Sequence, residues 1–381
     1  MAQESLLTDS TPDLDVPVVN ARTAQLSQRK LIWRRFRKHK LAVLGLVITA
    51  VLYLIVIFGD FVAPYSTGHY NADYTYAPPQ RLHVVDAQGN WGLHVNPLIM
   101  EQDPDTLALE FTADTSRTVP VGFFVEGEEY QLLGFIPANR HLIGPVDANA
   151  PPMHLLGADR NGRDVLSRLV LGTRISMTIG LVGVLIAFVL GIVIGGISGF
   201  VGGRTDMIIQ RIVEFFMSIP TMPLWLGLAA AIPREWSPLT RYMLITVVLS
   251  FVAWTGLSRE VRGRFLSLRE EQFVTAARLD GATRPGLIFS EMLPSLMSHL
   301  IATITLAIPG MILAETSLSF LGLGLQAPSV SWGVLLQDAQ QIRVIATAPW
   351  LLLPGVAVVV AVLALNFLGD GLRDAADPYK R

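Results

Sequence analysis

The stretch FVTAARLDGATRPGLIFSEMLP, residues 273–294, is polar and helix-forming, yet it lies between two hydrophobic runs. Ala276 and Ala277 are small, so a helix there can lie close against another surface. Gly281 permits a sharp backbone turn after that helix. Leu293-Pro294 closes the stretch, and proline suits the first turn of a new helix because its missing N–H costs little there. The spacing predicts a short helix, a turn and the start of a second long helix.

The hydrophobic runs on either side are typical of the whole chain. Of 381 residues, 51% are hydrophobic and 16% charged, and long stretches carry no charge. That is the composition of a polytopic membrane protein, not of a large soluble one. The formal net charge of −2 gives no sign of a nucleic-acid partner. With 0 cysteines there is neither a disulfide nor a thiolate metal site. Residues 1–28 are polar, contain Pro12 and Pro17 and lack an apolar h-region. They predict a disordered tail and not a cleavable signal peptide.

A helix that crosses a bilayer needs about 20 mostly apolar residues. Six windows qualify: 41–61, 175–201, 212–232, 242–257, 296–314 and 349–368. Gly191, Gly195, Gly199 and Gly203 recur every four residues along the second, a ridge that lets another helix approach closely in lipid. Lysine and arginine near short loops mark the cytoplasmic side. Arg29, Lys30, Arg34, Arg35, Arg37, Lys38 and Lys40 precede the first window, so the N-terminus is expected in the cytoplasm, and six crossings return the C-terminus there. Arg259, Arg262, Arg264, Arg269, Arg278 and Arg284 place the loop between the fourth and fifth windows on the same side.

Between the first two windows lies an insert, residues 65–155, too long for a connector and too polar to span. Alternating stretches at 81–85, 106–111, 119–125 and 130–136 predict strands. Gln88-Gly89-Asn90 and Glu126-Gly127-Glu128 predict turns between them. A small β-rich extracytoplasmic domain is expected. Its role stays open between shaping the external mouth and packing on a neighbouring subunit.

The loop at 273–294 resembles the EAA loop of binding-protein-dependent ABC importer permeases, E-A-A-x3-G-x9-I-x-L-P. Ala276, Ala277, Gly281, Leu293 and Pro294 match it, while Thr275 stands at the Glu position and Glu291 at the Ile position. Three further segments look like the C-type permease of the oligopeptide/dipeptide/nickel importers: LGADRNGRDVLSRLVLGTRIS (156–176), ETSLSFLGLGLQAPSVSWGVLLQDA (315–339) and LNFLGDGLRDAADP (365–378). The basic segment before the first window and TDMIIQRIVEFFMSIP (205–220) fit the same family, and the insert is longer than in typical members.

The resemblance implies an all-α polytopic membrane protein with six transmembrane helices of the type I ABC importer permease fold and a small β-rich insert between helices 1 and 2. It implies a tail at 1–28, a basic segment and first helix at 29–64, the insert at 65–155, a permease core at 156–370 with a cytoplasmic coupling loop at 259–295, and a cytoplasmic tail at 371–381. Thr275, Ala276, Ala277, Gly281, Leu293 and Pro294 would form the element that couples to an ATPase. The chain would be a non-catalytic subunit of the bacterial inner membrane, working by alternating access. Its partners would be a second homologous permease, two ABC ATPases that use ATP with magnesium, an extracytoplasmic substrate-binding protein and the membrane lipid. This chain itself would bind no cofactor. Di- or oligopeptides are the expected cargo, with oligosaccharides, opines or nickel as alternatives within the family.

Asp159, Arg160, Arg163 and Asp164 form a dense cluster of alternating sign at the outer face. The cluster is read either as a capping network, with Asp164 near a helix start, or as a gating or binding-protein contact. Glu315 lies at the outer end of the fifth window and is either functional or a cap for the segment after it. That segment, with Gly322 and Gly324, predicts a re-entrant or surface-lying stretch anchored at the interface by Trp332. Asp206, Arg211 and Glu214 sit near the inner end of the third window, with an Arg211–Glu214 pair expected on one face.

No G-x-x-x-x-G-K-[ST], H-E-x-x-H or G-x-S-x-G pattern occurs, and GATRPG (281–286) lacks the lysine of a phosphate loop. A membrane hydrolase would need a facing nucleophile and base, and His299 is the only histidine on a window. A stand-alone secondary transporter would need ionisable or unwound sites near the midplane, where these windows carry almost no charge.

Overall fold

The computed structural model describes residues 28–86, 89–102, 109–147, 149–233 and 235–376. The expected tail at 1–28 falls outside them except for Gln28. In chain order the helices are α1 (Gln28–Lys38), α2 (Lys40–Val62), α3 (Val165–Val201), α4 (Gly203–Ser218), α5 (Thr221–Ala230), α6 (Pro238–Leu268), α7 (Gln272–Leu279), α8 (Arg284–Gly286), α9 (Leu293–Phe320), α10 (Trp332–Gln337), α11 (Ile342–Thr347) and α12 (Leu353–Ala376). The strands, all between α2 and α3, are β1 (His83–Val85), β2 (Trp91–Val95), β3 (Leu98–Gln102), β4 (Leu109–Ala113), β5 (Val119–Leu132) and β6 (Ile136–Pro145).

Among the described residues, 5 helical segments are long and apolar enough to cross a membrane: Lys40–Val62, Val165–Val201, Pro238–Leu268, His299–Phe320 and Pro349–Ala375. The third window is not one straight span. It is the pair α4 and α5, bent by 81°, and counting the pair as one gives 6. Pro220 sits at the bend. Proline forces the residue before it out of helical geometry, and Ile219 is extended at φ −85°, ψ 126°. The second and fourth spans run well past their windows because α3 and α6 carry charged turns at their ends. Residues 371–376, placed in a tail by the resemblance, continue α12.

The glycine ridge brings α3 against α6. A Cβ on Gly195 would lie 2.4 Å from the Ser258 carbonyl oxygen, and one on Gly199 would lie 2.7 Å from that of Arg262. Gly203 is not part of this contact. It lies beyond the helix end at φ +58°, and with Gly202 at φ +69° it turns the chain from α3 into α4. The largest buried cluster joins α3, α6, α9, α10 and α12 through Met177, Leu249, Ile312, Leu318, Trp332 and Leu365. Trp332 is therefore a core residue with no exposed surface, not an interfacial anchor. The stretch TSLSFLGLGL is likewise not surface-lying. It ends α9 and then folds inward, with Leu325 fully buried.

The insert holds a four-stranded sheet of order β1-β2-β5-β6 and a two-stranded pair β3-β4. All its pairings are antiparallel. Glu126-Gly127-Glu128 is not a turn. It lies inside β5, where the register against β6 shifts between Glu126 and Tyr130. The bulge seats His141, since a Cβ on Gly127 would lie 2.6 Å from its ring. The chain reverses at 133–135 instead, so the expected strand at 130–136 is the hairpin end itself. The expected strand at 106–111 falls partly outside the described residues and β4 begins at Leu109, while Gln88 of the first expected turn also lies outside them. Tyr65 stitches the insert to the bundle: its N–H donates to Ser167 Oγ at 3.1 Å and its hydroxyl accepts from the Met153 N–H at 2.7 Å.

Candidate functional site

The helix α7 projects from the end of the bundle where α6 stops and α9 begins. Its two faces differ. Val274 is fully buried in a cluster with Val261, Phe265, Leu287, Met292, Leu296 and Leu300, and Ala277 packs beside it. Phe273, Ala276 and Leu279, spaced by three on the opposite face, are exposed, Leu279 by 83%. The helix ends in a Schellman motif: the Ala282 N–H donates to the Ala277 carbonyl at 3.0 Å and the Gly281 N–H to that of Arg278 at 3.2 Å. Gly281 takes the left-handed conformation this requires, φ +83°, with open space where a Cβ would point. The glycine is needed for backbone shape, not for room.

Thr275 donates its hydroxyl to the Glu271 carbonyl at 3.2 Å and makes no ionic contact. After Gly281, Thr283 caps α8 by accepting the Gly286 N–H at 3.3 Å. Leu293-Pro294 opens α9 as expected, but with no break before it. The helix is continuous from Arg284, with a π-turn at Leu287–Met292 immediately before the proline. The Leu293 N–H reaches five residues back to the Ile288 carbonyl. Proline inside a helix removes a hydrogen bond and crowds the turn before it, and the widened π-turn accommodates both effects.

Two ion pairs tie the elements above α7 together. Arg262 of α6 holds Asp206 of α4 through both carboxylate oxygens, at 2.5 and 2.6 Å, and Ser198 of α3 donates to the same carboxylate at 2.5 Å. The expected Arg211–Glu214 pair is present at 3.0 Å on the surface, but Asp206 pairs across to α6 instead of joining it. His299 Nε2 of α9 lies 2.5 Å from Glu260 Oε1 of α6, and Thr303 donates to that oxygen at 3.3 Å.

At the opposite end, the cluster expected at the outer face is mostly enclosed. Asp164 caps α3: its Oδ2 accepts from the Ser167 N–H at 2.7 Å and from the Ser167 hydroxyl at 2.6 Å. Asp159 accepts the Asn161 and Arg163 N–H groups and pairs with Arg168. Asp159, Asp164 and Arg168 are all buried. Arg160 pairs outward with Asp338 at 3.3 Å, and burial pushes the Asp338 carboxyl up against the pull of Arg160. Arg160, Arg163 and Arg168 line a cavity of about 620 Å³ together with Gln326, Gln337 and Asp338.

Glu315 is fully buried. Its carboxylate accepts from Ser331 at 2.7 Å, from Ser319 at 2.8 Å and from Ser176 at 3.5 Å. Ser176 in turn accepts the Trp332 N–H at 3.0 Å. Glu315 therefore fastens α9, the inward-folded segment and α3 to one another. A second cavity, apolar and of about 410 Å³, lies between α3, α5, α6 and α9, with Trp225, Thr255, Gly256, Thr303 and Met311 on its wall.

Sequence reading missed Arg168, Asp338, Glu260 and the Asp206–Arg262 pair. A lone arginine in the apolar run VLSRLVLG was the one available signal for Arg168. The others are partners brought together across elements. Among the described residues no three His, Asp or Glu side chains converge to hold a metal ion.

Residues 191–381 match the model of the family described as binding-protein-dependent transport system inner membrane component. Residues 27–79 match that of the N-terminal TM domain of oligopeptide transport permease C. The chain is 41% identical over 237 residues to the oligopeptide transport system permease protein OppC of Haemophilus influenzae, covering 61% of this chain and 73% of that one. It is 30% identical over 360 residues to the dipeptide transport system permease protein DppC of Bacillus subtilis, covering 93% and 87%. A solved inward-facing structure of the MetNI methionine ABC transporter superposes on 55% of this chain and 97% of that one, with a TM-score of 0.44 at 20% identity.

Proposed function

The chain belongs to the family of binding-protein-dependent transport system inner membrane components, and on that premise we propose that it is the transmembrane permease subunit of an ATP-binding-cassette importer that carries di- or oligopeptides across the bacterial inner membrane. Relatives named as oligopeptide and dipeptide permeases support the choice of cargo. The observation that carries the mechanism is α7, a short helix with one face sunk in the bundle and an uncovered apolar stripe on the other. A partner ATPase docks on Phe273, Ala276 and Leu279. The cluster around Val274 joins α7 to α6 and α9, so a push on the stripe is transmitted to both long helices at once.

In the assembled importer this chain pairs with a second permease, two ATPases and a substrate-binding protein, with both termini in the cytoplasm. The ATPases use ATP with magnesium, and this subunit supplies no chemistry. ATP binding shifts the bundle by favouring one of its two states over the other. The apolar cavity between α3, α5, α6 and α9 is this subunit's share of the pathway along the permease interface. Asp159, Arg160, Arg163, Asp164 and Glu315 form the frame of the outer mouth, with Arg160 and Arg163 facing its cavity.

The test is to tag the chain at its native locus, extract it in mild detergent and identify what co-purifies, then measure uptake of labelled peptides. Recovery of a second permease with ATPases carrying phosphate loops, and peptide-competed uptake, is the expected result. Leu279→Ser should leave the permease pair intact and reduce ATPase retention several-fold. Recovery of the chain alone, with transport in liposomes lacking ATP, would overturn the reading. Uptake competed only by oligosaccharides would overturn the cargo.

A further inference from the structure

The β5–β6 hairpin plays no part in coupling or in the cavity at the mouth. It crosses the end of α2. The Phe124 ring lies 5.9 Å from Phe61, and the His141 ring nitrogen lies 2.6 Å from the Ala63 carbonyl oxygen. Further along the hairpin, burial and the nearby Asp60 carboxylate both raise the Tyr130 hydroxyl's pKa. Asp60 and Phe61 belong to the last turn of α2, and Arg174 of α3 meets Asp60 there at 2.6 Å. The hairpin therefore lies at the height where the first span leaves the apolar layer.

Beyond that crossing its character changes. Between the Phe124 and Tyr130 contacts the hairpin still carries Glu126, Glu128 and Glu129, with Arg140 3.7 Å from Glu126. From Tyr130 to Asn139, YQLLGFIPAN, there is no acid and no base. Leu133, Phe135 and Ile136 are exposed by 51%, 72% and 44%. The turn is built for something other than water. Leu133 and Gly134 both have positive φ, +57° and +82°, and the Phe135 N–H donates to the Leu132 carbonyl. That backbone favours Asn-Gly, and leucine is strained in it. In water an asparagine would suit both the backbone and the solvent. Leucine followed by an exposed phenylalanine is favoured only where the tip leaves water. In α2, Leu54, Ile57 and Phe58 are themselves exposed and apolar, on a helix long and apolar enough to cross a membrane. The hairpin rests on the last turn of that same helix.

We propose that the tip of this hairpin, Leu132 to Ile136, seats in the phospholipid interface of the leaflet on the insert's side, anchoring the insert to the membrane beside α2. Tyr130 then sits at the headgroup level, where aromatic side chains with a polar end are favoured. The occupant is lipid, because the tip is uncharged, apolar and exposed, and its hairpin rests on the last turn of a span whose own surface is largely uncovered and apolar.

The chain's lack of cysteine makes the test direct. In the intact transporter in phospholipid nanodiscs, Phe135→Cys and, separately, Leu133→Cys are nitroxide-labelled, with the unsubstituted complex as blank and Glu126→Cys as the control on the same hairpin. Collision rates with oxygen, which partitions into lipid, and with a water-soluble nickel chelate are compared by electron paramagnetic resonance. The expected result is an oxygen-to-chelate ratio several-fold higher at 133 and 135 than at 126. A chelate-accessible tip matching the control overturns the proposal. So does a tip reached by neither reagent, which would place it against a protein partner.

Discussion

The two ends of the helical bundle are built on opposite plans. At the insert end the polar residues that stand out in the sequence are enclosed: Asp159, Asp164 and Glu315 are buried, and serine hydroxyls, backbone N–H groups or Arg168 hold their carboxylates. At the α7 end the conspicuous residues are small and uncharged, and they sit on a projection with one face uncovered. Charge marks rigidity here, and its absence marks the surface left free for a partner. The cost of exposing a buried ion or orphaning a hydroxyl accounts for the first end. For the second, the need to present a backbone shape without a competing side chain is reason enough.

The comparison breaks most visibly at Asp159. Asp159→Ala leaves Arg168 buried without its carboxylate, and losing one partner of such a pair costs about 3–5 kcal/mol. The expected outcome is loss of folded protein in a thermal melt in detergent, with the Asp159→Leu/Arg168→Met double variant recovering much of it. Wild-type melting of the single variant would mean that the pair is not structural. Next comes Glu315→Leu, which strands the Ser319 and Ser331 hydroxyls at a cost of about 1–3 kcal/mol each. Glu315→Gln, which keeps an acceptor, should melt closer to wild type.

At the α7 end the sign of the result changes. Gly281→Glu forces a side chain into a left-handed backbone, about 1–2 kcal/mol, in open space. It should leave the melt of the bundle nearly unchanged while abolishing uptake and coupled ATP hydrolysis. Gly281→Asn, which tolerates that backbone, should keep most of both. Normal uptake by Gly281→Glu would remove α7 from coupling.

The smallest expected effect belongs to the seam between insert and bundle. Burial pushes the Glu128 carboxyl up, but its hydrogen bonds from Ser66 and the His69 ring, 2.6 Å away, outweigh that and hold it below the usual glutamate range. A depressed folded-state pKa gives stability that is present above the ordinary glutamate value and is lost as pH falls through the depressed one. Hydrogen-exchange protection factors at 65–69, corrected for the intrinsic rate at each pH, should therefore fall on acidification, and Glu128→Gln should flatten that dependence.

The spans, the glycine ridge from Gly191 to Gly199 and the α7 loop were legible because each is a local periodicity or spacing. The bend at Pro220 was legible only in principle, since the proline was visible but the window around it was apolar enough to read as one span. Trp332 misled for a related reason. An aromatic beside an amphipathic stretch reads as an interface anchor, and only the inward fold of 321–331 makes it core. Arg168–Asp159, Arg160–Asp338, His299–Glu260 and Arg262–Asp206 are contacts between elements, and no single-chain periodicity encodes them. In β5 a charged Glu-Gly-Glu reads as a turn, but the glycine is there to let a histidine ring pass.

The π-turn before Pro294 also acts as a phase setting. It holds one residue more than the same length of α-helix would, and each residue advances a helix by about 100°. Deleting a single residue within 287–292 would let the turn relax to ordinary helix with the phase of α9 kept, because the widened turn absorbs that residue, whereas deleting Ser295, in the regular helix beyond it, would rotate the rest of α9 by about that angle. Leu296 and Leu300 would swing out of the cluster that seats α7, and Glu315 would turn away from Ser331 and Ser176. A one-residue deletion at one end of the molecule would then undo the fastening at the other, some 30 Å along the same helix by its rise of about 1.5 Å per residue. The residue count of α9 beyond the π-turn is thus a clock that both ends of the permease read.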